Sequence, residues 1–298
     1  MNRSAGPVCF KPPQDILAHA AKTLGACKRA ALLVPPGIEQ ALAARRLLLA
    51  LHAQHPGVEW AVLGPRSSLF VFEMDPAVAA YIPVQALEPR RPAQFRLAHW
   101  WQGRQHVRKL AQLPMDAWLG CQATASVYPR AQVAMPPVYR RLFAALGSQQ
   151  ANKPQWWCAA QIDEYATLPG WGPLQLGPNA LARATRLFQS MPPNVPKVVV
   201  VLGEASEPLG NLRARADQVQ GLPGLEGGAW VWLVLAEGAA MRHRRMASQH
   251  PEWEFASLAD CLGVLVYADR VMCHVPQITR LLSDIGRADR LMLDKTHT

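Results

Sequence analysis

The chain lacks the patterns that would place a protein in a membrane or outside the cell. Its longest apolar stretches are interrupted by charge, Gly or Pro well before the roughly 18 residues that a membrane-spanning helix needs. The first residues, Met1–Pro7, have neither a long apolar core behind them nor a small-residue cleavage pattern, so we expect no secretion signal. These absences predict a cytoplasmic protein.

Close cysteine pairs are also absent. The 6 cysteines are spread over the whole sequence, whereas a zinc site usually shows a close pair of Cys or His, and a disulfide framework is dense in a small domain. Cys273 and His274 are adjacent, but adjacent positions point in different directions on a helix or strand. We therefore expect reduced, buried thiols and neither a metal site nor a cofactor.

Acidic residues are the scarcer charged type, with 21 Asp and Glu against 31 Lys and Arg, which gives a net charge of +10. Such a balance favours phosphate-bearing ligands, nucleic acid or an anionic membrane surface as partners. Basic and aromatic residues do not alternate as in known nucleic-acid modules, so nucleic acid is the least expected of these. Part of the excess also fits a general Arg-rich composition. Arginine supplies most of the positive charge, in clusters such as Arg90–Arg91, Arg104–Lys109, Arg140–Arg141 and Arg242–Arg245.

A strand-to-helix opening occurs twice in the chain. The first copy is Ala31–Val34 followed by the turn Pro35–Gln40, and the second is Lys197–Leu202 followed by the turn Gly203–Pro208. A parallel strand buried on both faces reads as a continuous apolar run, and a crossover helix must follow it. The two openings predict an α/β fold of two Rossmann-like domains, whose parallel sheets face each other across a cleft with a ligand at the carboxyl ends of the strands.

A loosely patterned stretch separates the two openings. It contains Trp156–Trp157, a Pro- and Gly-rich run and a helix from Pro178 to Ser190. Linkers between domains commonly have this composition. The predicted division has three parts: an N-terminal Rossmann-like domain with a helical extension at residues 1–155, a linker and helix at 156–196, and a shortened C-terminal Rossmann-like domain at 197–298.

Several segments follow the order of a known family. Met74–Pro83 resembles its segment N-P-x-V-D-x-V-I-P, Leu202–Ser206 its Gly-Ala-Ser turn, and Leu258–Asp269 its L-A-x-L-L-x-x-A-D-x-V element. Met115–Gln122 is similar to its strand Y-D-L-V-I-D-L-Q-G. Over roughly residues 30 to 287, the chain resembles the bacterial heptosyltransferases of glycosyltransferase family 9, which have the two-domain GT-B fold.

The resemblance implies a metal-independent inverting glycosyltransferase. Its donor would be a nucleotide sugar, such as an ADP-sugar, bound by the C-terminal domain. Its acceptor, an anionic glycolipid of the cell envelope such as lipopolysaccharide, or a protein, would lie on the side of the N-terminal domain. Such an enzyme would be cytoplasmic, with peripheral contact at the inner membrane.

The reaction needs a carboxylate to take the acceptor proton and positive groups for the departing diphosphate. Glu39, in the turn after the first strand, is the predicted base, although acids in a first helical turn also simply favour the helix dipole. The residues predicted to bind the donor phosphates or nucleotide, each of which also fits a plain structural role, are Gly203, Ser206, Arg213, Thr279 and Arg280.

The chain departs from the family at its strongest motifs. After the last strand, the family has an Asp, a small hydroxyl residue, a Gly and a His; in the corresponding stretch His274–Arg280 the Asp, the Gly and the His are absent by that register. Glu39 or Gln40 stands near the position of the family's catalytic Asp. Its final strand and C-terminal helix are also expected to be largely missing after Gly286. Two alternatives to an active transferase therefore stand: a catalytically degenerate GT-B protein that acts as a binding or assembly partner of another protein, and a basic adaptor for an anionic surface.

Overall fold

The computed structural model describes most of the chain and divides it into two compact units, Met1–Gly172 and Pro173–Thr298. Each unit contains a sheet whose described strands all pair in parallel. The predicted fold class, two Rossmann-like α/β domains with parallel sheets, is therefore confirmed. The described residues are 8–10, 13–84, 107–121, 137–147, 155–159, 168, 173–220, 228–236, 253–273 and 275–291.

The sheet of the first unit has six strands in the order β1-β6-β5-β2-β3-β4. The central strand β2 is buried over its last four residues, which explains its unbroken apolar sequence. The edge strand β4 is more exposed. The strands are β1 Val8–Phe10, β2 Arg29–Leu33, β3 Glu59–Gly64, β4 Val78–Pro83, β5 Ala117–Cys121 and β6 Gln155–Ala159.

The helices of the first unit follow the strands as crossovers. The described part of this unit contains the helices α1 Pro13–Thr23, α2 Ile38–Gln54, the short α3 Leu69–Phe72 and α4 Pro137–Gly147. A further helical segment covers residues 107–111. This segment and α4 pack on one face of the sheet, around a core that includes Leu33, Leu63 and Trp118. Since successive residues of a strand point to opposite faces, buried neighbours such as Leu32 belong to the other face.

A buried ion pair fixes α2 to the turn before β4. The Arg45 Nε atom lies 2.8 Å from Asp75 Oδ2, and the side chain of Asp75 is only 1% exposed. The other carboxylate oxygen of Asp75 accepts the Ala77 N–H at 3.1 Å. A buried carboxylate is tolerated only when such partners surround it, so this pair determines where the turn lies against α2.

The sheet of the second unit has four strands in the order β10-β7-β8-β9: β7 Lys197–Glu204, β8 Ala229–Leu235, β9 Trp253–Ala256 and β10 Arg270–Cys273. Its helices are α5 Pro178–Gln189, α6 Leu209–Gln220, α7 Leu258–Tyr267 and α8 Pro276–Asp284. Alternate valines and Leu202 of β7 pack with Leu212, Ala216 and Val219 of α6 in one core. No described helix in either unit combines the length and apolarity needed to cross a membrane.

The two units repeat one four-stranded arrangement. The order β5-β2-β3-β4 in the first sheet corresponds to β10-β7-β8-β9 in the second. An aspartate also precedes the corresponding strands: Asp116 Oδ2 accepts the N–H groups of Lys28 at 2.8 Å and Arg29 at 3.0 Å, and Asp269 Oδ2 accepts that of Lys197 at 2.9 Å. The repeated opening in the sequence therefore corresponds to a repeated structural core.

The stretch between the openings differs in part from its predicted role. Residues 156–159 of the predicted linker lie in strand β6, which pairs with β5 in the first sheet. The helix that follows, α5, belongs to the second unit, and its contact with α7 is close. The short strands β1 and β9 were also not predicted, because three or four residues carry too little pattern to be recognised. The sequence at residues 239–250 predicts a helix, but these residues lie outside the described part of the chain.

Gly263 provides a test of the packing between α5 and α7. A Cβ atom at this position would overlap the carbonyl oxygen of Ala180 in α5. We expect Gly263→Ala to lower the free energy of unfolding by about 1–3 kcal/mol, since one of the helices must shift. Gly210→Ala in α6 is the matched control, because nothing lies within 4 Å of its added Cβ. Urea unfolding that finds the two variants equally stable would contradict this packing.

Asp116 should make stability depend on pH. Hydrogen bonds from the N–H groups of Arg29 and Lys28 hold the pKa of Asp116 below its usual 3.8. A lowered pKa means that the stabilisation is complete above pH 3.8 and is lost as the pH falls through the folded-state value. We expect Asp116→Ala to cost about 1 kcal/mol at pH 7, because the group is mostly exposed, and progressively less in acid. Urea midpoints between pH 7 and 3 test this, with the exposed Asp217→Ala as control; a pH-independent difference would be the contrary result.

Candidate functional site

The turn after β2 is shaped by a glycine and a buried amide. Gly37 has a φ of 117°, which L-residues with a side chain rarely adopt. The space where its Cβ would stand is occupied by the side-chain oxygen of Gln40, whose side chain folds back over the start of α2. Gln40 is only 4% exposed. The turn Pro35–Gln40 is therefore rigidly packed at its helical end.

Glu39 is the sole ionisable residue between Val34 and Gln40. It lies in the first turn of α2, and its side chain is exposed. The neighbouring Gln40 is an amide and cannot accept a proton at neutral pH. Of the two residues that stand near the family's catalytic Asp, Glu39 alone can therefore act as a base, and that role stays a prediction.

Two tyrosines hold the carboxyl edge of the first sheet. The Tyr139 hydroxyl, on α4, lies 2.7 Å from the Val34 carbonyl oxygen and 2.8 Å from that of Leu63. The Tyr81 hydroxyl donates to the Pro65 carbonyl at 2.5 Å. These phenols bind backbone carbonyls just beyond the end of β2 and around the end of β3. The contact of Tyr139 with Val34 fixes the point at which the turn that carries Glu39 begins. No local sequence pattern indicates this role.

The turn after β7 brings together two of the predicted phosphate-binding residues. Gly203 lies near the end of the strand, where its register against β8 shifts, and Ser206 follows three residues later with an exposed side chain. The Ser206 hydroxyl donates to Glu204 Oε2 at 3.2 Å. The Ala205 N–H donates to the Leu235 carbonyl oxygen at 2.7 Å. The Ser206 hydroxyl and the Ala205 N–H of this turn are thus already engaged within the protein.

The arginine that reaches this turn is Arg215, which the sequence analysis missed. Its Nη1 donates to the Leu202 carbonyl at 2.6 Å, and its Nη2 lies 2.9 Å from Glu207 Oε2. The predicted Arg213 is exposed on the same helix. Residues two apart point about 200° apart around a helix, so the two arginines take different directions. The position of Arg215 around the α6 helix, on the side that faces Gly203, was the signal that could have identified it.

The start of α8 carries the other predicted donor residues. Thr279 is half-buried, and its N–H donates to the Val275 carbonyl at 3.4 Å. Arg280 follows in the same helix, but its side chain lies outside the described atoms. The adjoining Cys273 thiol donates to the Val275 carbonyl at 3.3 Å, and burial raises the pKa of Cys273 to about 12. This thiol is therefore protonated at neutral pH and is no nucleophile.

Two other features of the described residues bear on chemistry. The described residues contain no group of three His, Cys, Asp or Glu side chains arranged to hold a metal ion. A surface cavity of about 380 Å³ in the second unit is lined by Arg183, Arg186 and Leu187 of α5 and by Ser190, which directly follows that helix. Arg183 there is paired with Glu254 at 2.7 Å. None of the predicted site residues is among these four.

Comparison with known proteins finds similarity in structure only. No family model matches the sequence, and no curated protein is similar to it. A family 9 glycosyltransferase from Veillonella parvula DSM 2008 superposes with a TM-score of 0.55 at 11% identity, over 86% of this chain and 78% of the other. The E. coli ADP-heptose lps heptosyltransferase II gives a TM-score of 0.50 at 14% identity, over 88% and 83%. The resemblance predicted from the sequence is therefore confirmed in structure: the chain has the fold of the family 9 glycosyltransferases.

Proposed function

We propose that the protein is a heptosyltransferase-like glycosyltransferase that uses a nucleotide-activated sugar. The observation that carries the proposal is the similarity of fold to a family 9 glycosyltransferase across most of the chain, including both units. A neighbour in this fold is named for ADP-heptose, which makes an ADP-sugar the first donor to test. Because fold alone does not determine activity, the proposal depends on the residues at the strand ends.

In this proposal Glu39 is the general base. The acceptor hydroxyl oxygen forms a bond to the anomeric carbon of the sugar, while the bond from that carbon to the diphosphate oxygen breaks. The electron pair leaves with the nucleoside diphosphate, and the hydroxyl proton passes to the Glu39 carboxylate. The exposure of Glu39 in the first turn of α2, the helix that follows the central strand β2, supports this role.

The donor phosphates would bind at the carboxyl edge of the second sheet, where parallel α/β domains usually bind ligands. Gly203 and Ser206 would contribute from the turn after β7, and Thr279 and Arg280 from α8. Arg213 would meet the more exposed part of the nucleotide. Arginine and backbone amides can stabilise a departing diphosphate, so this site would need no metal.

The acceptor in this proposal is an anionic saccharide or glycolipid of the cell envelope. The net charge of +10 supports it, because a basic protein attracts anionic acceptors and anionic membrane surfaces. The reaction would then take place in the cytoplasm, with the protein in peripheral contact with the inner membrane.

A second candidate function is that of a catalytically degenerate binding or assembly partner of another protein. The engaged polar groups of the turn after β7 favour it, since Glu204 and Glu207 place negative charge where a phosphate would bind. Gln40, the other residue that stands near the family's catalytic Asp, is an amide, and this also favours the second candidate. Such a protein would retain the fold without transferring a sugar.

Binding and turnover together test the proposal. We expect titration calorimetry to detect saturable binding of one nucleotide sugar from a panel that begins with ADP-sugars. Glu39→Gln should leave that affinity unchanged but reduce transfer by about 10²–10⁴-fold, because the proton acceptor is lost. Arg280→Ala should weaken binding by about tenfold, because a charged contact to phosphate is lost.

The matched control for Glu39→Gln is Glu59→Gln, which removes an exposed carboxylate at the opposite end of the same sheet. It should change neither binding nor transfer. Absence of binding to every nucleotide sugar would reject a live donor site. Binding without transfer to any envelope acceptor, in wild type as well as in Glu39→Gln, would favour the second candidate.

A further inference from the structure

The turn after β7 contains an ion pair that lies directly over a glycine. A Cβ atom on Gly203 would overlap the carboxylate of Glu207, and it would come within 2.5 Å of Arg215 Nη1 and 2.8 Å of a Leu212 methyl carbon. The missing side chain therefore leaves a small cradle above the strand end. The charged groups of Glu207 and Arg215 fill that cradle from two sides.

The Glu207 carboxylate uses both of its oxygens in this cradle. Oε1 accepts the Glu204 N–H at 2.9 Å, and Oε2 lies 2.9 Å from Arg215 Nη2. Glu207 and Arg215 are 27% and 28% exposed, so the pair is neither fully buried nor free in water. A backbone N–H and a guanidinium are the two kinds of donor that commonly hold a phosphate oxygen.

Arg215 is itself held in place by the strand. Its Nη1 donates to the Leu202 carbonyl, and this contact keeps the guanidinium at the strand end whether or not Glu207 is its partner. Neutralising the Glu207 side chain should therefore leave a positioned arginine and an N–H group from which an anion can displace that side chain more easily. An incoming anion would find both donors already in place.

We propose that Glu207 is an internal competitor for phosphate: its carboxylate occupies the cradle over Gly203, so that a diphosphate group binds there only by displacing it from the Glu204 N–H and from Arg215. This inference rests on the proposed function, which places the donor diphosphate at this edge of the sheet. It adds that the site is self-occupied in the free protein and that Arg215 is a phosphate-binding residue.

The competition follows from general chemistry. The carboxylate is tethered to the same turn, so its effective concentration at Arg215 is high, and a free anion must overcome it. A diphosphate carries more negative charge and offers more acceptor oxygens than a carboxylate, and Arg can bind phosphate through two parallel hydrogen bonds. Exchange of one anion for the other is therefore feasible, but affinity is reduced while Glu207 is present.

Inorganic pyrophosphate is the probe of choice, because it tests the cradle without the nucleoside or the sugar. We expect calorimetry on the full chain to show that Glu207→Gln binds pyrophosphate about tenfold more tightly than wild type. The double variant Glu207→Gln with Arg215→Met should lose this gain, since the released guanidinium is gone. Equal affinity of wild type and Glu207→Gln would overturn the inference.

The matched control is Glu204→Gln in the same turn. It removes the same charge, but among the described residues the Glu204 carboxylate accepts a bond from the Ser206 hydroxyl and holds neither Arg215 nor a backbone N–H. Its pyrophosphate affinity should stay within about threefold of wild type. A gain as large as that of Glu207→Gln would mean that general electrostatics is responsible, and the competitor role would be rejected.

A second variant covers the case in which Glu207→Gln does not fold, as judged by thermal unfolding. Glu207→Asp keeps the charge but is one methylene too short to reach both donors, so pyrophosphate affinity should rise about threefold; no rise would also overturn the inference. Nucleotide sugars separate the two proposals. If Glu207→Gln binds pyrophosphate more tightly but no nucleotide sugar binds, the competitor role of Glu207 is supported and the proposed nucleotide-sugar donor is rejected. If a nucleotide sugar binds and Glu207→Gln does not change its affinity, the donor is supported and the competitor role is rejected.

Discussion

Parallel pairing to two central strands, β2 and β7, is the constraint on which the rest of the structure depends. Each is flanked on both sides by parallel neighbours, so its backbone groups are satisfied within the sheet and its side chains are buried. Parallel pairing also forces every connection to cross over, which places helices against the sheets and all carboxyl ends of a sheet at one edge. The aspartates at the amino ends of β5 and β10 secure the same two strands from the opposite edge.

The two carboxyl edges have different chemistry, although the four-stranded cores repeat. At this edge of the first unit, tyrosine hydroxyls bind backbone carbonyls. The turn after β2 there carries one exposed carboxylate, that of Glu39. In the second unit the edge holds an arginine that is already paired with a carboxylate. An exposed carboxylate can take up a proton and an arginine can bind a phosphate, but this arginine is already paired with Glu207.

Most of the fold was predictable from the sequence, because long buried strands have an unmistakable pattern. The predicted strands at 31–34 and 197–202 correspond to β2 and β7. The strand β6 was missed because its Trp-Trp pair lies in a stretch whose other residues are typical of a linker, and only pairing with β5 makes it a strand. Of the site, the two turns and Glu39 were located from the strand ends, whereas Arg215 and Tyr139 were not, since each acts from a helix on a strand that lies elsewhere in the sequence.

By itself, then, the sequence determined the α/β class, the two repeated openings and the place of the candidate turns, because these follow from local apolar runs and from the glycines at strand ends. The tertiary structure alone decided which charges meet. Glu207, Arg215 and the carbonyl of Leu202 come together over Gly203 only when α6 packs on β7, and the phase of that helix selects Arg215 over Arg213. Charge pairing depends on distances of a few ångströms between separate elements, and such distances are set by packing rather than by local sequence.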